Sequence, residues 1–278
     1  MARAENKETA GPMAQMVAKL ARKLRVRKGW SQDRLGAELG FSGAAVSAME
    51  TLAQPASDQM LVELERVLGD GMGIFEDART AVRLEKYPEQ FQNFAPLEQR
   101  AIVLQMYETL VINGLFQTEE YARALIGGGY PPLSEQRVEE LVQARMERQA
   151  LFDREPIVSI ELILEEAVLR RTIGNAEVMT GQMQHLIAYT RRRNVNLHVL
   201  PLECGTSGEH AGARGGITLV ETPEHDRLGY LEVQGESLLI TDPAKVSTYA
   251  RRYAKIRAQA LGLRESLGLI EELAGEQR

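Results

Sequence analysis

The residues best suited to chemistry lie in the second half of the chain. His198, Cys204 and His210 are evenly spaced, and imidazole and thiolate are the ligands a soft metal such as zinc prefers. No C-x-x-C or H-x-x-x-H pair accompanies them, so we expect no metal and no cofactor. The stretch "GTSGE" departs from the G-x-S-x-G of a hydrolase elbow. Glu165 and Glu166 are adjacent in the chain, point in different directions and make no acid/base pair. His185 falls on a helix otherwise given to packing or solvent and reads as structural. No catalytic constellation emerges, and we expect no enzyme.

A binding pocket is the better use for these side chains. Glu166, Arg170 and Arg171 follow a predicted strand, His210 and Arg214 sit in a Gly-rich loop before another, and Glu232 lies on the strand after that. If they converge, they would hold a small molecule, a peptide or a partner protein. The plainer alternative makes Arg171 and Glu232 members of structural ion pairs and His210 a loop cap.

The elements that would position these residues form an α+β domain. Leu97, Val103, Leu104, Tyr107, Leu110 and Val111 recur at helical spacing and predict one helix. A shorter helix is expected over 118–126, and "GGGYPP" breaks the chain after it. Ser134 caps a helix running to about Asp153. "PIVSIELIL" reads as a buried strand, and "NAEVMTGQMQHLIAYTRRR" as a helix capped by Asn175. "VNLHVLPL", "GGITLVE", "LGYLEVQ" and "SLLIT" read as further strands. Asp242-Pro243 open a last long helix with Val246, Tyr249, Tyr253 and Ile256 on one face. Helices, then a run of strands, then a helix predict a mostly antiparallel sheet.

Ahead of this lies a unit of different character. The chain has 278 residues and a formal net charge of -6, which argues against coating nucleic acid non-specifically. The charge is uneven, however. "VAKLARKLRVRK" (17–28) carries Lys19, Arg22, Lys23, Arg25, Arg27 and Lys28 and no acid. Val17, Leu20 and Leu24 place a helix over about 13–27, Ser31 caps a second over 32–39, Ser42 a third over 43–51, and Ser57 a fourth. Two short helices joined by a tight turn at Gly40 form the helix-turn-helix pattern. Gly69, Gly71 and Gly73 lead out of helix four; they do not complete a G-x-G-x-x-G and follow no strand, so a nucleotide loop is not expected. We place a disordered tail at 1–12, the helix-turn-helix domain at 13–73, a helical linker at 74–96 and the α+β domain at 97–278. With 44% hydrophobic and 26% charged residues, no apolar run of membrane length, no secretory leader and one cysteine, we expect a cytoplasmic protein without a membrane partner.

The order Arg25, Gly29, Ser31-Gln32, Leu35, Leu39-Gly40, Ser42, Val46-Ser47, Glu50, Pro55 resembles the XRE family of Cro/repressor-like regulators over about 13–69. The resemblance implies a bundle of about five helices, mainly α in character, with the third helix in the major groove of a double-stranded DNA operator. It also implies an ion pair between Arg25 and Glu50 that fixes the recognition helix. Gly36 stands at the usual small position between helices two and three. The base-reading positions Gly43, Ala44, Ala45 and Ala48 cannot make bidentate hydrogen bonds to bases. Phosphate contacts would then fall to Gln32 and Ser42 at helix N-termini and to Arg22, Arg27 and Lys28, with Ser47 reaching a base or phosphate. Alanine methyls can touch thymine methyls, and specificity would draw on DNA shape and on doubling across a homodimer. A bundle used only for oligomerisation, or one that no longer reads DNA, are the competing readings.

"YETLVINGLFQTEEYARAL", "EELVQARMERQALFDREP", "LEEAVLRRTIGNAEVM" and "VNLHVLP…GEHAGARGGITLVE" resemble the large C-terminal domain of actinobacterial antitoxin-like regulators over about 85–273. Asn113 departs from the proline usual before Gly114. The resemblance implies a regulator paired with a small partner protein encoded nearby, and it places the pocket candidates among recurring motifs; we expect the domain to dimerise and to take a signal from that partner or from a small ligand. The alternative is an antitoxin-like protein that mainly sequesters that partner and binds DNA weakly.

Overall fold

The computed structural model describes residues 11–85, 87–206 and 208–276. The chain divides into two compact units, Met1–Lys86 and Tyr87–Arg278.

In the first unit, α1 (Pro12–Arg27), α2 (Gln32–Leu39), α3 (Gly43–Thr51), α4 (Asp58–Leu68) and α5 (Ile74–Leu84) share one core. Val17, Ala21 and Leu24 of α1 meet Leu35 and Leu39 of α2, Val46 and Met49 of α3, and Leu61, Leu64 and Leu68 of α4. Ser31, Ser42 and Ser57 each cap their helix by accepting a backbone N–H three residues on. Gly36 is buried at the α2–α3 corner, where a β-carbon would lie 2.8 Å from the Phe41 carbonyl oxygen. We expect Gly36→Ala to force the two helices apart and cost about 1–3 kcal/mol, read as a lower midpoint in urea. The segment read as a linker is divided between the units: Phe75 and Ala78 of α5 are buried in the first core, whereas Tyr87 onward belongs to the second unit. The tail expected over 1–12 lies almost wholly outside the described residues.

The second unit opens with α6 (Glu89–Gln92) and α7 (Ala95–Arg100), then β1 (Val103–Glu108). After a 3-10 turn, Gly114–Phe116, come α8 (Glu119–Gly127) and α9 (Glu135–Arg148), then β2 (Ser159–Glu165), α10 (Glu166–Arg170) and α11 (Ala176–Tyr189). β3 (Val195–Leu200), β4 (Ile217–Glu221), β5 (Arg227–Val233), β6 (Glu236–Ile240), α12 (Pro243–Gln259) and α13 (Leu263–Glu276) complete the chain. The six-stranded sheet has the order β3-β2-β1-β4-β5-β6. It is mostly antiparallel, with parallel pairing of β2 to β1 and β3. This is an α+β unit, as the strand-rich C-terminal half predicts.

The single helix expected from Leu97 to Val111 is not there. The segment is the short α7 followed by the central strand β1. Val103 and Gln105 lie toward α12, as does Tyr107, which packs with Tyr253 and Ile256; Leu104 and Met106 are buried on the opposite face. A strand covered on both faces carries apolar residues at consecutive positions, which imitates a buried helix. The last helical stretch is also two helices, because the chain breaks between α12 and α13 at 260–262.

Candidate functional site

Helix α3, the expected recognition helix, is fixed from beneath. Arg25 Nε and Nη2 donate to the two Glu50 carboxylate oxygens at 2.6 and 2.8 Å, and Arg25 Nη1 donates to the Trp30 carbonyl at 2.7 Å. Gln32 Nε2 adds a bond to Glu50 at 2.9 Å. Burial opposes ionisation of Glu50, but the hydrogen bonds from Arg25 and Gln32 outweigh it and hold the carboxyl below its usual range. The pair ties α1 to the C-terminal turn of α3. Gln32, expected on phosphate, thus commits its amide nitrogen to Glu50.

Above this network, Ala44 is exposed and Gly43, Ser47 and Ala48 are half-exposed. Ala45 packs partly against the core. Ser42 is exposed while its hydroxyl accepts from the Ala45 N–H at 3.1 Å. Gly43 leaves room for Asp33, whose Oδ1 would lie 1.9 Å from a β-carbon there. A carboxylate so close to the start of α3 competes with phosphate for that helix end. Arg22 is exposed beside Lys19 and Lys23 on α1. Arg27 and Lys28 lean instead toward Asp70, at 3.8 and 4.0 Å, and Lys28 Nζ donates to the Val67 carbonyl. Trp30, the one tryptophan of the chain, is flanked by Lys28 and Arg34 at 5.2 and 5.9 Å from its ring.

In the second unit the pocket candidates fall into two clusters. Glu166 is buried; its carboxylate takes Arg170 Nε at 2.7 Å and the Leu202 N–H at 3.0 Å. Next to it, the Tyr107 hydroxyl donates to Glu165, and His210 Nε2 lies 3.4 Å from the same carboxylate oxygen. Burial and the Glu165 bond push the Tyr107 hydroxyl well above its ordinary range. Gly212 packs on that hydroxyl, so the contact also pins the Gly-rich loop. Arg214 is exposed. Among the described residues no three of His, Cys, Asp or Glu are placed to hold a metal.

Glu232 lies elsewhere, on β5, with Tyr230 donating to it at 3.1 Å. Near it stand residues that the sequence reading missed. Arg148 Nε and Nη2 pair with Glu98 at 2.8 and 2.6 Å, and Arg148 stacks on Phe91 at 3.9 Å. Arg145 Nη1 donates to Gln117 at 2.8 Å, and burial next to Arg148 draws its guanidinium down to about 10. Arg171 and Arg145 both lie within electrostatic reach of Tyr121. The available signal was the spacing of Arg145 and Arg148 within "EELVQARMERQ", which sets both on one helix face.

This arrangement defines a protein with a DNA-binding helix-turn-helix of XRE type, a domain of transcription regulators, ahead of a larger α+β unit. Residues 5–69 match the family model described as helix-turn-helix (HTH_3). Residues 91–272 match the family described as domain of unknown function (DUF5753), and the chain belongs to that family. No curated protein and no solved structure matches the chain. No helix among the described residues is long and apolar enough to cross a membrane.

Proposed function

We propose that this chain is a sequence-specific transcription regulator that binds a pseudo-palindromic operator as a homodimer. Its second unit receives a signal from a small ligand or a small partner protein and shifts the dimer between DNA-competent and incompetent geometries. The observation that carries the reading is the recognition helix itself. It is Ser42-capped, locked by Arg25, Gln32 and Glu50, and leaves Ala44, Ser47 and Ala48 available outside, with the acid-free basic segment of α1 in the same unit. Glu166, Arg170, His210 and Arg214 are proposed as one set of contacts for the signal, and Arg171 and Glu232 as contacts outside it. Arg171→Ala and His210→Ala that leave every response intact would remove them from it.

The test is fluorescence anisotropy with the protein's own upstream DNA and a scrambled duplex at two salt concentrations. We expect tight binding to the upstream DNA only, with log K falling by about 0.9 per phosphate contact for each log unit of salt. Arg22→Ala should lower that slope by about 1 without changing the preferred sequence. Trp30 emission supplies a second readout, because its flanking cations lie in the same unit as α3.

The second reading, sequestration of a partner with weak DNA binding, is favoured by Ala44, Ala48 and the Asp33 carboxylate at Gly43. Equal, weak and salt-sensitive binding to both duplexes would establish it over the first.

A further inference from the structure

One end of the sheet carries a notch built from the backbone register. Tyr107 pairs with Ile217 between β1 and β4, and Thr218 pairs with Tyr230 between β4 and β5. Continuing that register sets Glu108, Gly216 and Glu232 side by side on one face. The middle position has no side chain, so a gap two strand spacings wide, about 10 Å between the outer α-carbons, separates the two carboxylates. Glu108 leans over it: Oε2 lies 3.8 Å from where a β-carbon on Gly216 would stand.

The charges around the notch are unevenly satisfied. Glu108 Oε1 accepts from Asn113 at 2.7 Å, which leaves Oε2 facing the gap. Glu232 is exposed and accepts from the Tyr230 hydroxyl. Neither forms an ion pair within 4 Å among the described residues. The next residue after Asn113, Gly114, lies against both guanidinium groups of α9; a β-carbon there would be 3.2 Å from Arg148 Nη1 and 3.4 Å from Arg145 Nε. Arg148 is neutralised by Glu98. Arg145 has no carboxylate in contact: Nη1 donates to the neutral Gln117 amide, and Glu232 acts on it only from a distance. Glu232 acts on both guanidinium groups, and Arg148 on Glu108, without contact, so opposite charges stand near one another and a ligand of both charges would bridge them. The surroundings of Glu108 agree. Burial raises its carboxyl to about 7, with Asn113 opposing the shift, Glu232 on β5 adding to it and Arg148 on α9 opposing it.

We propose that this notch binds a small zwitterion of the α-amino-acid class, with the ammonium between Glu108 and Glu232 and the carboxylate on Arg145. The inference rests on the reading that the second unit receives a small-molecule signal, and gives that signal a chemical class. Gly216 keeps the middle of the row free of a side chain, while the space beside Gly114 is taken by the two guanidinium groups themselves.

The experiment is isothermal titration calorimetry of the full chain, without DNA, against a panel of L-α-amino acids, their N-acetyl forms and their C-terminal amides. At least one free amino acid should bind, and acetylation or amidation should each weaken it about tenfold or more, the loss of one charge-assisted hydrogen bond. Arg145→Gln should weaken the free amino acid to the level of its amide, with Arg145→Lys recovering part of the loss. Glu232→Gln, at an exposed side chain with little bearing on folding, should bring it to the level of the acetyl form. The proposal is overturned if no free amino acid binds, if blocked forms bind as well as their parents, or if both Gln variants bind as the unsubstituted chain does. Anisotropy on upstream DNA with and without the bound amino acid separates the two readings. A ligand that binds but leaves DNA affinity unchanged keeps the site and removes its signalling role.

Discussion

Glu50→Ala should cost the first unit about 3–5 kcal/mol, the loss that follows when one partner of a buried ion pair is removed. The Glu50 side chain is 2% exposed and that of Arg25 is 11% exposed, so water cannot replace what the substitution takes away. Three donor groups lose their acceptor at once: Nε and Nη2 of Arg25 and Nε2 of Gln32. Replacing both partners with apolar residues should cost less than either single change, because no charge is then left buried. Thermal unfolding followed through Trp30, which lies in this unit, reads the effect. Anisotropy should show DNA affinity falling with it, since the pair holds the last turn of α3. The pH dependence follows from the lowered Glu50 carboxyl. A depressed folded value means the pair contributes fully above the ordinary carboxylate range, and the contribution is lost as pH falls through the folded value. Glu50→Ala should therefore flatten the acid limb of the stability profile. An unchanged acid limb would contradict this account.

Glu98→Ala should have an effect of the same size in the second unit. Its side chain is 3% exposed and that of Arg148 is 10% exposed. Removing the carboxylate leaves Arg148 stacked on the Phe91 ring, with Glu232 acting from a distance and a second guanidinium, Arg145, as a neighbour. The expected cost is about 3–5 kcal/mol. Calorimetry distinguishes it from Glu50→Ala, because the two substitutions should lower different transitions. The repulsion also predicts a rescue: adding Arg145→Gln to Glu98→Ala should recover part of the loss, and a strictly additive double variant would show that the two guanidiniums do not interact.

The first unit was legible in the sequence because its rules are local. Ser31, Ser42 and Ser57 each announce a helix through a bond three residues away, and Gly36 and Gly40 mark a corner that only small or left-handed residues can turn. The apolar spacing of α1 to α4 meets a single core, so period and burial agree. The strands from β2 to β6 were legible for the same reason, each standing alone between turn residues. β1 was not: its residues face packing on both sides of the sheet, and a run apolar on both faces carries no period to read. The parallel pairing of β1, β2 and β3 was equally hidden, because nothing local fixes which strands become neighbours. The polar clusters followed that rule. Arg145 and Arg148 were visible as neighbours on one helix, but Glu98, Glu108, Gly216 and Glu232 are brought to them only by strand register and by helices folding back onto the sheet. Short-range chemistry thus determined the helix-turn-helix, and long-range pairing decided where the charges of the second unit meet.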